Sequence, residues 1–223
     1  MRNVLLSGGI YHPFEQTSDW LAQRFAAHGV ESVSIDDVGE AVSELETADC
    51  LTINALRWRM LNHDKYIPHR KQWAFEMPEA WATRIHEFVA SGGALLGLHT
   101  ASICFDTWYD YGNLLGGRWV WDQSFHPPPG PCEVRGVGAA AVSSFTTEDE
   151  IYHHLALGAD SERLLEGRCV GESAAQDWQT LAWRRTEGDG RVLYCALGHD
   201  AAALAQAPMA KFIDESISWL LDL

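Results

Sequence analysis

The run Gly92-Gly93-Ala94-Leu95-Leu96-Gly97-Leu98-His99-Thr100-Ala101 sets the terms on which this chain can fold. Two glycines close a preceding helix, and the apolar run behind them reads as a short strand buried on both faces. It ends at His99, flanked by small residues, where the pattern turns toward another helix. A strand–turn–helix elbow of this kind holds its central side chain up at the carboxyl edge of a sheet. In open α/β sheets that edge is where ligands bind. A histidine there, in place of Ser or Cys, predicts a site without an acyl-enzyme nucleophile.

The segments before the elbow supply more of the sheet. Strands are expected at residues 3–7, 31–35 and 50–54. After the first comes a helix capped by Thr17 or Ser18, with Leu21, Ala22, Phe25 and Ala26 on its apolar face and Gly29 at its end. A short acidic helix is expected near residues 38–45. Pro78 opens the helix that delivers the chain to the elbow, with Trp81, Ile85, Phe88 and Val89 apolar. This alternation predicts an α/β fold, a doubly wound parallel sheet with right-handed crossovers and helices on both faces. Residues 57–77 break the pattern. They hold Arg57, Trp58, Arg59, His63, Tyr66, His69, Arg70, Lys71 and Trp73 with little periodicity, the one basic island in an acidic chain. A stretch of that length without periodicity reads as a functional loop or an insertion.

Beyond the elbow, a short helix is expected at residues 108–115, ended by Gly116-Gly117, and strands at residues 118–121 and 133–137. His126-Pro127-Pro128-Pro129-Gly130-Pro131 is a rigid connection. Residues 147–152 read as a loop or short helix. Residues 179–185 and 191–197 flank Glu187-Gly188-Asp189-Gly190, which is hairpin chemistry. The second arm ends in Gly198-His199-Asp200, again a strand end presenting a histidine. Pro208 opens a last amphipathic helix with Phe212, Ile213, Ile217 and Leu220 on one face. No repeat or linker divides the chain, so residues 1–223 are expected to form a single domain.

Composition bounds the partners. A net charge of −15 argues against nucleic-acid backbones and anionic membranes. No apolar run approaches the roughly 20 residues of a membrane span, and the first residues are too briefly apolar for a signal peptide, so a cytoplasmic protein is expected. The five cysteines form no CxxC pair, which predicts buried reduced thiols. Among the ten tryptophans, Trp58, Trp73, Trp108, Trp119 and Trp121 fall in expected loops or at their borders, Trp58 and Trp119 beside Arg. Such rings suit the apolar faces of sugars, a homo-oligomer interface or the core, and the sequence leaves these open.

Six elements, in order, carry a resemblance: Gly92-Gly93, Gly97-Leu98-His99-Thr100-Ala101, Leu114-Leu115-Gly116-Gly117, His126-Pro127, Asp149-Glu150-x-Tyr152, and Gly190-Arg191-Val192-Leu193-Tyr194-x-x-Leu197-Gly198-His199. Together they resemble the ThuA-like (trehalose-utilization) family, from the first strand to the last helix. The resemblance implies a flavodoxin-like fold similar to class I glutamine amidotransferases. It also implies a link to the catabolism of trehalose and related or oxidised disaccharides. By the same resemblance, His199 falls near the place of the amidotransferase catalytic histidine.

His99 is the leading candidate for chemistry. At a helix N-terminus the dipole disfavours its cation, so a neutral ring able to act as base or donor is expected. Glu150 is expected to orient an imidazole or act as acid, and His199 to share the proton work; a helix start and a structural histidine are their plain alternatives. His12, in the loop after the first strand, and His126, before the prolines, are expected to face the ligand. Tyr152 is a hydroxyl donor, Arg57 and Trp58 a hydrogen-bonding and stacking pair, and Trp108 a substrate contact. Several histidines and a carboxylate at one edge permit a metal, but no HxxxH or HxH spacing marks one, so no cofactor is expected. Amidotransferase chemistry is rejected, because Cys104 lies beyond the elbow. The leading expectation is an acid/base enzyme of isomerase or lyase type acting on a sugar or keto-sugar. A non-catalytic binding or assembly protein on the same fold and a metal-dependent hydrolase are the alternatives.

Overall fold

The computed structural model describes residues 1–140, 142–171 and 177–223. Strand β1 (Arg2–Gly8) leads to helix α1 (Phe14–Ala27), then β2 (Glu31–Ile35), α2 (Val38–Glu44) and β3 (Cys50–Ala55). The 57–77 segment carries a 3-10 turn and the single-turn α3 (Arg70–Trp73). It is followed by α4 (Glu79–Ala90) and β4 (Ala94–Leu98), which ends at the elbow. The second half runs through α5 (Tyr111–Leu115), β5 (Gly117–Arg118), β6 (Gly130–Gly136), β7 (Phe145–Asp149), β8 (Ala156–Leu157), β9 (Glu162–Cys169), β10 (Gln179–Glu187) and β11 (Gly190–Cys195). It closes with α6 (Ala201–Leu204) and α7 (Ala207–Leu221).

Nine strands form one sheet in the order β2-β1-β3-β4-β11-β10-β9-β6-β7. From β2 to β11 all pairs are parallel, the flavodoxin-like order with β11 as the fifth strand. Its strands are near-continuous apolar runs because helices cover both faces: α1 and α7 pack on one, α2 and α4 on the other. From β11 onward the pairs are antiparallel and make an arm of four further strands. No helix among the described residues is long and apolar enough to cross a membrane.

Local departures from the expected elements have physical causes. Helix α1 starts at Phe14, not at Thr17 or Ser18. Those two residues are buried inside it, where both hydroxyls accept from Asn54 of β3, and Ser18 Oγ also lies 2.7 Å from Ser7 Oγ of β1. Their oxygens tie helix to sheet instead of capping. Ala26, expected on the apolar face, is exposed. Residues 145–149 form strand β7, where a loop or short helix was expected, because Thr146 and Thr147 pair with Glu133 and Cys132 of β6. Trp119 to Trp121 lie outside β5, which has only two residues. Strand β9 has no counterpart among the expected elements.

Candidate functional site

The topology brings the ends of β1, β4 and β11 to one edge. Gly8 and Gly9 let the loop after β1 fold back on β3: both have positive φ, and a Cβ on Gly9 would lie 2.8 Å from the Leu56 side chain. That turn presents His12, whose Nδ1 lies 3.0 Å from the Ile10 carbonyl. At the end of β4, His99 adopts φ of 46°, the sharp left-handed turn an elbow requires. Pairing of Leu98 with Cys195 sets His99 beside Ala196, whose carbonyl lies 2.6 Å from His99 Nδ1. Tyr194 Oη donates to the His99 carbonyl at 2.7 Å and fixes the turn from below.

The arm supplies the carboxylates. Asp149 ends β7, is buried, and accepts from the backbone N–H groups of Gly198, His199 and Glu150 at 2.8, 3.1 and 2.8 Å. This locks the end of the arm onto the end of β11 and aims Glu150 inward. Glu150 Oε2 then faces His99 Nε2 at 3.3 Å, His199 Nδ1 at 3.4 Å and His12 Nε2 at 3.9 Å. Its other oxygen, Oε1, lies 3.3 Å from His126 Nδ1. Tyr152 Oη approaches His99 Nε2 at 3.3 Å, and its ring stacks on His126.

Burial alone would push the Glu150 carboxyl up, but contacts with four imidazoles outweigh it and hold the group well below the usual carboxylate range. Burial drives His12 down. At His126 burial also lowers, yet Glu150 wins and the ring is raised; at His199 the Glu150 contact is the leading cause and raises it. Glu150 Oε2, His12 Nε2 and His199 Nδ1 are nonetheless buried with no hydrogen-bond partner of good geometry. The donor atoms of His12, His99, Glu150 and His199 lie within 4.8 Å of one another and could hold a metal.

Outside this polar centre is a cavity of about 190 Å³ with an aromatic wall of Trp58, Tyr66, Trp119 and Trp121. His12, His126, Glu150, Tyr152 and His199 line its floor, while His99, with a side chain 3% exposed, sits behind Glu150. Two expected substrate contacts lie elsewhere. Arg57 is buried beneath the site, donating to the carbonyls of Gly8, Ser7 and Asp36 with its guanidinium on the Trp73 ring. Trp108 packs against Phe105 and Tyr111 and borders a separate cleft. Cys104 is buried under the elbow, its thiol pushed up by burial to about 12, so it presents no thiolate. His153 stacks on Phe125 away from the centre.

The sequence profile of the ThuA family, described as trehalose utilisation, matches residues 7–220. The chain belongs to the ThuA family. Solved structures agree on the fold. A ThuA-like protein from Parabacteroides merdae superposes with a TM-score of 0.77 at 14% identity, covering 99% of this chain and 90% of that one. A cytoplasmic protein of Salmonella typhimurium LT2 gives 0.64 at 13% identity, covering 99% of both chains. The GH42 β-galactosidase Gan42B of G. stearothermophilus gives 0.61 at 14% identity, with all of this chain covering 30% of that enzyme. No curated protein matches the sequence significantly.

In this ThuA-family chain the sequence reading left three contributors without a role: Asp149 as the clamp between arm and sheet, and Trp119 and Tyr66 as cavity wall. Tyr66 had a signal, since it stands in the one loop that is rich in aromatic residues. Asp149 stood in the Asp149-Glu150-x-Tyr152 element, but its clamping role had no signal, because two of its three backbone partners lie 49 and 50 residues away.

Proposed function

We propose that this protein is an enzyme of carbohydrate catabolism that moves a proton beside the carbonyl of a sugar or keto-sugar. The observation that carries the reading is a buried carboxylate ringed by four imidazoles at the carboxyl edge of the sheet, under an aromatic wall. The apolar face of a pyranose stacks on Trp58 and Trp121, which puts its polar edge over His126, Glu150 and His199.

His126 is the proton carrier in this reading. It faces the cavity, its side chain is 34% exposed, and Glu150 steadies its cation. The proton leaves the carbon next to the carbonyl for the imidazole, and the electron pair moves onto the carbonyl oxygen as an enolate. The enolate oxygen takes the proton of the adjacent hydroxyl while the imidazolium returns its proton to the former carbonyl carbon, which isomerises the sugar; alternatively the enolate expels a β-substituent, which leaves with the imidazolium proton, and this completes an elimination. His99 lies behind Glu150 and His12 beside it, and both are positioning residues. A cytoplasmic setting belongs to this proposal and is supported by the description of the Salmonella neighbour.

The test is a thermal-shift panel of mono- and disaccharides and their keto derivatives, followed by deuterium incorporation from D2O into any ligand found. A ligand at about a hundred times its dissociation constant stabilises by roughly 2.7 kcal/mol. His126→Gln should retain the shift and slow deuterium exchange by about a hundredfold or more. A shift without exchange in the native protein would replace the enzyme with a ligand-binding protein. No shift with any sugar would remove the substrate class.

A further inference from the structure

We propose that His12 Nε2, His99 Nε2, His199 Nδ1 and one oxygen of Glu150 hold a divalent first-row transition cation. The argument begins with the far sides of the rings. His12 and His99 each turn Nδ1 to a backbone carbonyl, at 3.0 and 2.6 Å. A carbonyl only accepts, so both Nδ1 atoms carry their proton and, in the neutral ring, both Nε2 atoms present lone pairs to the centre. Glu150 Oε2 is also an acceptor. Lone pairs of His12, His99 and Glu150 therefore converge on one buried point with His199 Nδ1 beside them; Oε2, His12 Nε2 and His199 Nδ1 have no hydrogen-bond partner, and His99 Nε2 has the Tyr152 hydroxyl at 3.3 Å. One dication satisfies every lone pair at once.

The spacing fits. Donors at about 2.1 Å from a metal lie roughly 3.0–3.4 Å apart in octahedral or tetrahedral arrangements. Two of the contacts to Glu150 are 3.3 and 3.4 Å and the third is 3.9 Å; the four donor atoms lie within 4.8 Å of one another, so the rings must draw inward on an ion. A histidine that gives its outer N–H to a carbonyl is the usual support of a metal ligand. Three imidazoles with one carboxylate and no thiolate suit Zn²⁺, Fe²⁺, Mn²⁺ or Co²⁺. The net charge of −15 favours cation capture. Because His12, Glu150 and His199 line the cavity floor, the open coordination position faces it, where a sugar carbonyl or hydroxyl oxygen would bind. His126 stays outside the set and faces the cavity, where it can carry a proton. The inference rests on the donor set alone and survives failure of the sugar reading.

The experiment uses the full chain, freed of any affinity tag. Its metal content is measured, it is stripped with chelator, and Zn²⁺, Mn²⁺ and Co²⁺ are titrated back by thermal shift and, for Co²⁺, by visible absorption. We expect about one equivalent of metal, a raised melting temperature on reloading, and a Co²⁺ spectrum showing nitrogen ligation. Loss of outer-shell partners alone weakens sites by about 10–100-fold, so His12→Ala and His199→Ala should each weaken binding by about a hundredfold or more. His126→Ala should bind as the native protein does. If Glu150→Gln fails to fold, the half-buried His199 provides the gentler variant. Stripped native protein that shows neither a shift nor a spectrum overturns the proposal. So does binding retained in both His12→Ala and His199→Ala, which would mark adventitious capture by surface histidines.

Discussion

At the scale of single residues, burial separates the groups that do chemistry from those that hold the fold. Arg57 belongs to the second kind. Its guanidinium bonds carbonyls from β1 and from the turn after β2, and it is buried. Arg57→Ala would strand those acceptors, and we expect a loss of about 3 kcal/mol in urea denaturation, with Arg57→Lys unable to rescue because one ammonium cannot fork to the same oxygens. A loss below about 0.5 kcal/mol would show that water replaces the side chain. The thiols give a second prediction. Cys50, Cys104 and Cys195 are buried and pushed up to about 12, so at pH 8 only about one molecule in ten thousand carries each thiolate. Disulfide reagent at pH 8 should modify at most the half-buried Cys169 quickly in the native protein, and all five thiols after unfolding. Three rapidly reacting thiols in the native state would contradict the packing. His12, His99 and His199 were legible because each follows a strand-ending run with glycine, and His126 because a proline run follows it. The role of Arg57 was not legible, because its carbonyl partners lie 21, 49 and 50 residues away in sequence.

At the scale of elements, the parallel half was legible and the antiparallel arm was not. Strands β3 and β4 are buried on every residue; β4 is apolar throughout and β3 is interrupted only by Thr52 and Asn54, so apolar runs announce them. The arm instead exposes one face to water and lays a charged ladder across it. Arg135 pairs with Glu166 and Arg168 with Glu133, both at 2.7 Å, and Trp178 lies against both guanidiniums. The sequence of β9, Glu162-Arg163-Leu164-Leu165-Glu166-Gly167-Arg168-Cys169, therefore reads as solvated surface. The hairpin of β10 and β11 makes a sharper prediction. A Cβ on Gly190 would run into the Val89 carbonyl, at the junction of α4 and the central strands. Gly190→Ala should cost about 2–3 kcal/mol by denaturant melt, since backbone rather than a flexible side chain must yield. In the aromatic wall, Trp121→Ala should weaken binding of any stacking ligand by roughly tenfold while leaving the melting temperature nearly unchanged, because that ring is only partly buried. A fall of several degrees without loss of affinity would reassign Trp121 to the core.

At the scale of the whole molecule, sheet order and site geometry pull in different directions. Strand β7 is last in the sheet and separated from β11 by three strands, yet Asp149 at its end bonds the N–H groups of Gly198 and His199 just past β11. The arm must curl back on itself for this to happen, and no local pattern in the sequence encodes the curl. Occupation of the centre should slow amide hydrogen exchange at residues 145–150 and 198–199, while β2 at the opposite edge keeps its native rates. Uniform protection of the whole sheet would mean that the arm and the parallel half open as one unit. The curl also sets a timetable. The proposed donors are made in the order 12, 99, 150, 199, far apart along the chain. A growing chain offers isolated imidazoles, each a weak ligand, until the arm has been synthesised and has closed against the end of β11. Capture of a cation by the complete set is thereby deferred until residue 199 has been made and the arm has closed.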